Sequence, residues 1–222
     1  MGCTRSRGSR GFQCIVSLPR PGEPGRYPAQ SMTNSDSTIW LTTLRESLAS
    51  YRRMTDATVE QLTDAELFSR PAPEFNSVAI ILRHLGGNLR SRWTDFLTTD
   101  GEKPNRHRET EFQEWSGNRA SLLKHLDDGW QQFDSVFDVL DDSNIGQVIH
   151  IRGEAHTIPQ ALARSLTHIA YHVGQIAIVA RMVHDGDWEW LTVAPGASAE
   201  FNNDVWGTSA SRSVFAKEDD AG

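Results

Sequence analysis

The sequence is short of thiols where it matters. Its two cysteines, Cys3 and Cys14, both lie near the start, so residues 32–222 contain none. That excludes a disulfide framework, a cysteine nucleophile and a cysteine-ligated metal from the main body of the chain, and it fits a reducing, cytoplasmic setting. Long apolar runs are missing too. No stretch approaches the roughly 18 residues needed to span a bilayer, which argues against a membrane protein. Excess positive charge is also absent. With 22 Lys and Arg against 29 Asp and Glu, the chain carries a formal −7, so nucleic acid, whose affinity for proteins rests on Lys and Arg neutralising phosphates, is not an expected partner. The composition, 38% hydrophobic and 23% charged over 222 residues, is that of a globular protein of one generous domain.

The first 31 residues differ from the rest. They hold five Arg, no Lys and one Glu, a net +4, which leaves −11 on the remaining 191. Rich in Gly, Pro, Arg and Ser and without periodicity, this lead reads as disordered, with Met32 as the expected native start. Its opening, Met1-Gly2-Cys3-Thr4-Arg5-Ser6, formally fits an acylation pattern, but Phe12–Leu18 is too short and broken for a secretory signal.

Four later segments have the length and 3.6-residue periodicity of amphipathic helices. The first follows Ser35-Asp36-Ser37, carries Trp40, Leu41, Leu44, Leu48 and Tyr51, and should end near Thr55 or Leu62. The second opens at Asn76 as N-cap and turns Val78, Ile81, Leu82, Leu85, Leu89 and Phe96 inward. The third, about Ser116 to Leu140, carries Leu122, Leu126, Trp130, Phe133 and Phe137. The fourth begins with the capping box Thr157-Ile158-Pro159-Gln160 and runs Leu162, Ile169, Val173, Ile176, Val179 and Val183 toward Gly186. Between them, 99–111 is a polar loop without core-forming residues, and 148–157 alternates as a short hairpin or extended crossover. Four helices with a long connection imply an all-α four-helix bundle. Residues 187–207 should pack over it as a tail, and 208–222 should fray.

The chemistry concentrates in eight histidines. His168 and His172, at i and i+4, project from one face of the fourth helix, a spacing that suits two imidazoles on one metal. His84 holds the corresponding level of the second helix. Three neutral imidazoles with an open fourth position is a catalytic zinc arrangement, with nickel, iron and manganese also compatible. The other reading is that these are hydrogen-bonded core histidines. Asn88 and Gln175 adjoin the presumed site, either as ligand-binding groups or as inter-helix hydrogen bonds. Of the remaining histidines, His107 lies in the polar loop, His125 and His184 should be exposed, and His150 and His156 fall in the crossover. Arg106 and Arg108 either pair with Glu109, Glu111 and Glu114 on the surface or recognise an anionic ligand at the mouth of the site.

At these residues the chain resembles the DinB/YfiT-like superfamily. The resemblance rests on His84-Leu-x-x-Asn88 and His168-x-x-x-His172-x-Gly174-Gln175, extends through Arg106-x-Arg108-x-x-Glu111-Phe112 and Pro195-Gly-x-Ser198, and covers about Ser37 to Asn202. It implies an up-down-down-up four-helix bundle with a divalent metal, zinc or nickel first, on His84, His168 and His172. It also implies either an enzyme that uses an external low-molecular-weight thiol, a metal-dependent hydrolase, or a non-catalytic metal-binding stress protein. The expected partner is a small-molecule substrate, and the expected assembly a homodimer.

Overall fold

In a computed structural model, residues 34–206 are described. The lead 1–31 and the expected frayed end therefore fall outside the described residues. The elements in order are α1 (Asn34–Glu60), α2 (Asp64–Phe68), α3 (Val78–Trp93), a 3-10 helix (Arg108–Phe112), α4 (Arg119–Asp134), α5 (Val136–Val139), β1 (Val148–Ile151), β2 (Glu154–Thr157), α6 (Ile158–Val183) and α7 (Ser198–Trp206). The four long amphipathic helices α1, α3, α4 and α6 form the expected all-α bundle. No described helix is long and apolar enough to cross a membrane.

Their directions follow from specific contacts. His125 meets the Arg83 carbonyl and Gln132 the Trp93 carbonyl, so α4 runs parallel to α3. Arg119 donates to the carbonyls of Val59 and Leu62 while Arg52 pairs with Asp127 and Asp134, so α1 runs antiparallel to α4. Gln61 exchanges hydrogen bonds with Glu189 just past α6, and Ser37 at the other end of α1 bonds Asp142 in the approach to β1, so α1 and α6 run side by side in one sense. The topology is up-down-down-up, as the resemblance implied.

Local chemistry sets the helix ends. Thr157 and Gln160 make the capping box, with Pro159 in the first turn where a missing N–H costs nothing. α3 starts one residue later than expected, because Ser77 rather than Asn76 accepts from the Ile80 N–H. The third expected helix is divided at Ser135, whose hydroxyl and backbone N–H turn back on the carbonyls of Gln132 and Gln131. The hairpin is real, pairing Val148 with Thr157 and Ile151 with Glu154, and Arg152 and Gly153 turn it at positive φ. Asp100 caps the turn by accepting from the N–H groups of Arg152 and Gly153.

α3 is the central element. Almost every residue along it is buried, and its two glycines let neighbours approach the backbone. A Cβ on Gly86 would sit 2.8 Å from His125, and one on Gly129 would sit 2.7 Å from the Gly86 carbonyl oxygen, so α3 and α4 touch backbone to backbone. Histidines 125 and 184 depart from the exposure expected of them. His125 is half-buried in that close approach against Trp115, and His184, 14% exposed, lies against Glu66 and edge-on to Trp188.

Candidate metal centre

α3 contributes His84, and α6, lying against it, contributes His168 and His172. The three rings meet between the helices, with His84 only 3% exposed and the other two half-buried. Nε2 of His168 lies 3.3 Å from Nε2 of His84 and 3.2 Å from Nε2 of His172. Two nitrogens bound at ~2.1 Å to one tetrahedral ion would stand about 3.4 Å apart, so these two spacings fit such an ion, and all three ligand nitrogens lie within 4.8 Å of one another.

The opposite ring nitrogens of His84 and His172 are fixed. Nδ1 of His84 lies 2.8 Å from Oε2 of Glu111, and since a carboxylate only accepts, that nitrogen carries the hydrogen. Nδ1 of His172 donates to Oε1 of Gln175 at 2.7 Å, and the Gln175 amide is held the other way by donating to the Tyr171 hydroxyl. Two Nε2 lone pairs therefore point at His168. One N–H on His168 can satisfy only one of them, whereas a cation satisfies all three rings. Among the described residues this is the one group of three His, Cys, Asp or Glu placed to hold a metal ion, and no fourth such side chain joins it. A bound ion would keep an open position.

Glu111 is the residue that sequence reasoning placed in a loop without core. It is 7% exposed. Arg106 grips it bidentately, Nε to Oε1 at 2.9 Å and Nη2 to Oε2 at 2.8 Å, while its Nη1 reaches Glu102, which also accepts from Arg152. A chain of alternating charge thus runs Arg152–Glu102–Arg106–Glu111 and ends on the His84 ring. Burial pushes the Glu111 carboxyl up, but His84 and Arg106 outweigh it and hold the group below its ordinary value. Gly87 makes the contact possible, because any Cβ there would collide with Glu111 Oε1. The sequence signal that could have found this is the adjacent Gly86-Gly87 pair, which marks close approach on two sides of one helix.

The other predicted site residues are distributed as follows. The Arg106–Glu111 pair does form, but inside: the Arg106 side chain is 5% exposed and its guanidinium is committed to Glu111 and Glu102. Arg108 is 41% exposed beside Glu109, and its guanidinium lies over the Phe112 ring, which in turn stacks on His84 at 4.8 Å. Asn88 is buried one turn from His84 on the same stripe of α3. Gln175 orients His172. A cavity of about 630 Å³ adjoins Glu111, lined by Arg83, Arg90, Lys103, Arg106 and His125 and not by the triad.

Burial, followed by the charges of His172 and His84, pulls His168 down to about 2, and burial followed by His84 pulls His172 down to about 4. Both rings are therefore neutral when folded at pH 5, whereas the unfolded chain protonates them below about 6.5. Because the unfolded state takes up more protons, the stability of the metal-free protein should fall as pH drops from 6.5 toward 4, by on the order of 1 kcal/mol per pH unit for each group. Urea unfolding of stripped protein at pH 7.5 and pH 5 checks this, and equal midpoints would contradict it.

Residues 35–197 match the model of the family described as "Protein of unknown function (DUF1572)". The fold is similar to that of YfiT from Bacillus subtilis, described as a probable metal-dependent hydrolase with an unusual four-helix bundle topology, at 19% identity and a TM-score of 0.50, covering 70% of this chain and 91% of that one. A conserved protein from Enterococcus faecalis is similar at 18% identity and a TM-score of 0.48, over 66% and 96% of the two chains. No curated protein matches by sequence.

Proposed function

The chain belongs to the DUF1572 family and has the DinB/YfiT-like bundle, and on that footing we propose that it is a divalent-metal enzyme, zinc- or nickel-loaded, that transfers an external low-molecular-weight thiol to a small electrophile. The observation that carries this reading is the convergence of three Nε2 atoms, with the opposite nitrogens of His84 and His172 anchored and no fourth ligand side chain among the described residues. A divalent ion held there lowers the pKa of a thiol or water that reaches it. The described residues supply no thiol, since residues 32–222 lack cysteine. Among the described residues no free base stands at the triad: Glu111, the carboxylate that touches it, is already shared by His84 and Arg106. A thiol needs no such base beyond solvent once its pKa is lowered, whereas activating water is helped by one.

In the transfer, the thiol gives up its proton to solvent, sulfur supplies the electron pair of the new S–C bond, and the leaving group departs with the pair of the bond that breaks. The residues' part is to fix geometry. Glu111 and Gln175 hold two rings, and Arg108 over Phe112 offers a guanidinium near the mouth for a negatively charged substrate or thiol.

The test is turnover of 1-chloro-2,4-dinitrobenzene by zinc- and nickel-loaded protein with cysteine, glutathione, coenzyme A, bacillithiol or mycothiol. Thiol-dependent turnover that is lost in His168→Ala supports transfer. The B. subtilis description favours water as the alternative nucleophile, which would appear as hydrolysis of ester or amide substrates without thiol. Stoichiometric metal with no turnover of either kind would make the protein a metal-binding module.

A further inference from the structure

Arg92 is a buried cation that the triad does not use. It lies eight residues beyond His84 on the stripe of α3 that also carries Asn88, about 12 Å along the helix axis, and only 7% of it is exposed. Its Nη1 is sealed from solvent and has no hydrogen-bond partner. Its stem passes beneath the polar loop, where a Cβ on Gly101 would come within 3.0 Å of Arg92 Cδ. The charges acting on it are mostly of its own sign: Arg164 foremost, then Arg106, with Arg152 behind and Glu102 alone opposing. Burial and these guanidiniums pull Arg92 down to about 10.

Arg164 stands one turn before His168 on α6 and is half-buried, with no carboxylate in ion-pair contact among the described residues. The two carboxylates nearby are spent, Glu111 on Arg106 and His84, Glu102 on Arg106 and Arg152. Arg92 and Arg164 are therefore left without a carboxylate partner among the described residues. A buried charge without a partner costs several kcal/mol, which a neutral side chain of similar shape would not. The chain as a whole is acidic, so this local excess is not a reflection of bulk composition.

We propose that Arg92 and Arg164 form an oxyanion-binding subsite on the seam between α3 and α6, one to two helical turns from the histidine cluster, which receives a carboxylate or phosphate of the small molecule whose other end reaches the triad. This rests on the reading of the triad as the reactive centre and names the ligand class: an anionic molecule, with Asn88 lying between its two ends. Each guanidinium offers a planar fork of N–H donors that suits a carboxylate or phosphate.

The experiment titrates the full-length, metal-free protein with inorganic phosphate and, separately, with glutarate by calorimetry, so that the ion cannot compete as an anion site. One saturable site is expected for at least one of the two, with affinity reduced about tenfold or more in Arg92→Met and in Arg164→Gln. Preference for one probe identifies phosphate or carboxylate as the natural group. Arg92→Met should also melt a few degrees higher than wild type, because it removes the unpaired charge and keeps the stem. Three results would each overturn the subsite: no saturable binding of either anion at millimolar concentration, binding that survives Arg92→Met, or a lower melting temperature in Arg92→Met. Zinc titration of the same proteins reads the triad separately; failure of zinc to bind wild type would refute the parent reading and leave the anion result interpretable.

Discussion

Replacing His168 with alanine is expected to abolish stoichiometric metal binding. Its Nε2 is the atom common to both short nitrogen–nitrogen distances, so its loss leaves two imidazoles on different helices with no third. The affinity drop should exceed the roughly 10–100-fold that loss of an outer partner costs. The readout is double. Wild type at free zinc a thousand times its Kd should gain about 4 kcal/mol over the stripped form, and His168→Ala should gain none. The stripped variant should still fold, and at pH 5 it should be at least as stable as stripped wild type, because a ring that resists protonation when folded has been removed. Near-stoichiometric zinc on the variant, or on the triple alanine variant of His84, His168 and His172, would sink the assignment of the centre.

Glu111→Ala should be the most damaging single change outside the triad. It leaves Arg106, 5% exposed, with only its Nη1 contact to Glu102, and it strips His84 of the acceptor that fixes its tautomer. Breaking a buried ion pair from one side costs about 3–5 kcal/mol, and zinc affinity should fall a further 10–100-fold through the loosened ring. Glu111→Gln keeps an acceptor oxygen and should recover part of the zinc affinity while recovering less of the stability, since the amide carries no charge for Arg106. Denaturant unfolding of the stripped variants and zinc competition on the loaded ones separate the two effects. If Glu111→Ala unfolds within 1 kcal/mol of wild type, the charge chain is decoration on a site held by other means.

What could be read from residue order, and what could not, divides along physical lines. Periodicity exposes any helix that packs by one apolar stripe. The inward positions predicted for α3, from Val78 through Leu89 and on to Phe96, are buried, and the i, i+4 pair His168 and His172 announced itself because helical spacing alone makes two side chains neighbours. Glu111 escaped because nothing local makes it interior. It sits in a polar loop and is buried only because Gly87, some two dozen residues earlier, leaves room beside α3 and Arg106 supplies the countercharge. Arg92 escaped for the same reason, as an arginine at the end of a helix reads as solvated until the loop over it is known. The break at Ser135 also lay beyond sequence periodicity, since Trp130, Phe133 and Phe137 keep the helical spacing on either side of it.

The directions of the helices give the centre a mechanical meaning. α3 and α4 run together and are locked where Gly86 and Gly129 meet, while α1 and α6 run together as a second pair. His84 belongs to the first pair, His168 and His172 to the second. An ion on all three is thus a rivet through the joint between two parallel halves, and it resists their parting rather than the unwinding of any one helix. Amide hydrogens along the facing sides of α3 and α6 should accordingly slow their exchange most on loading, while those buried between α3 and α4 respond least.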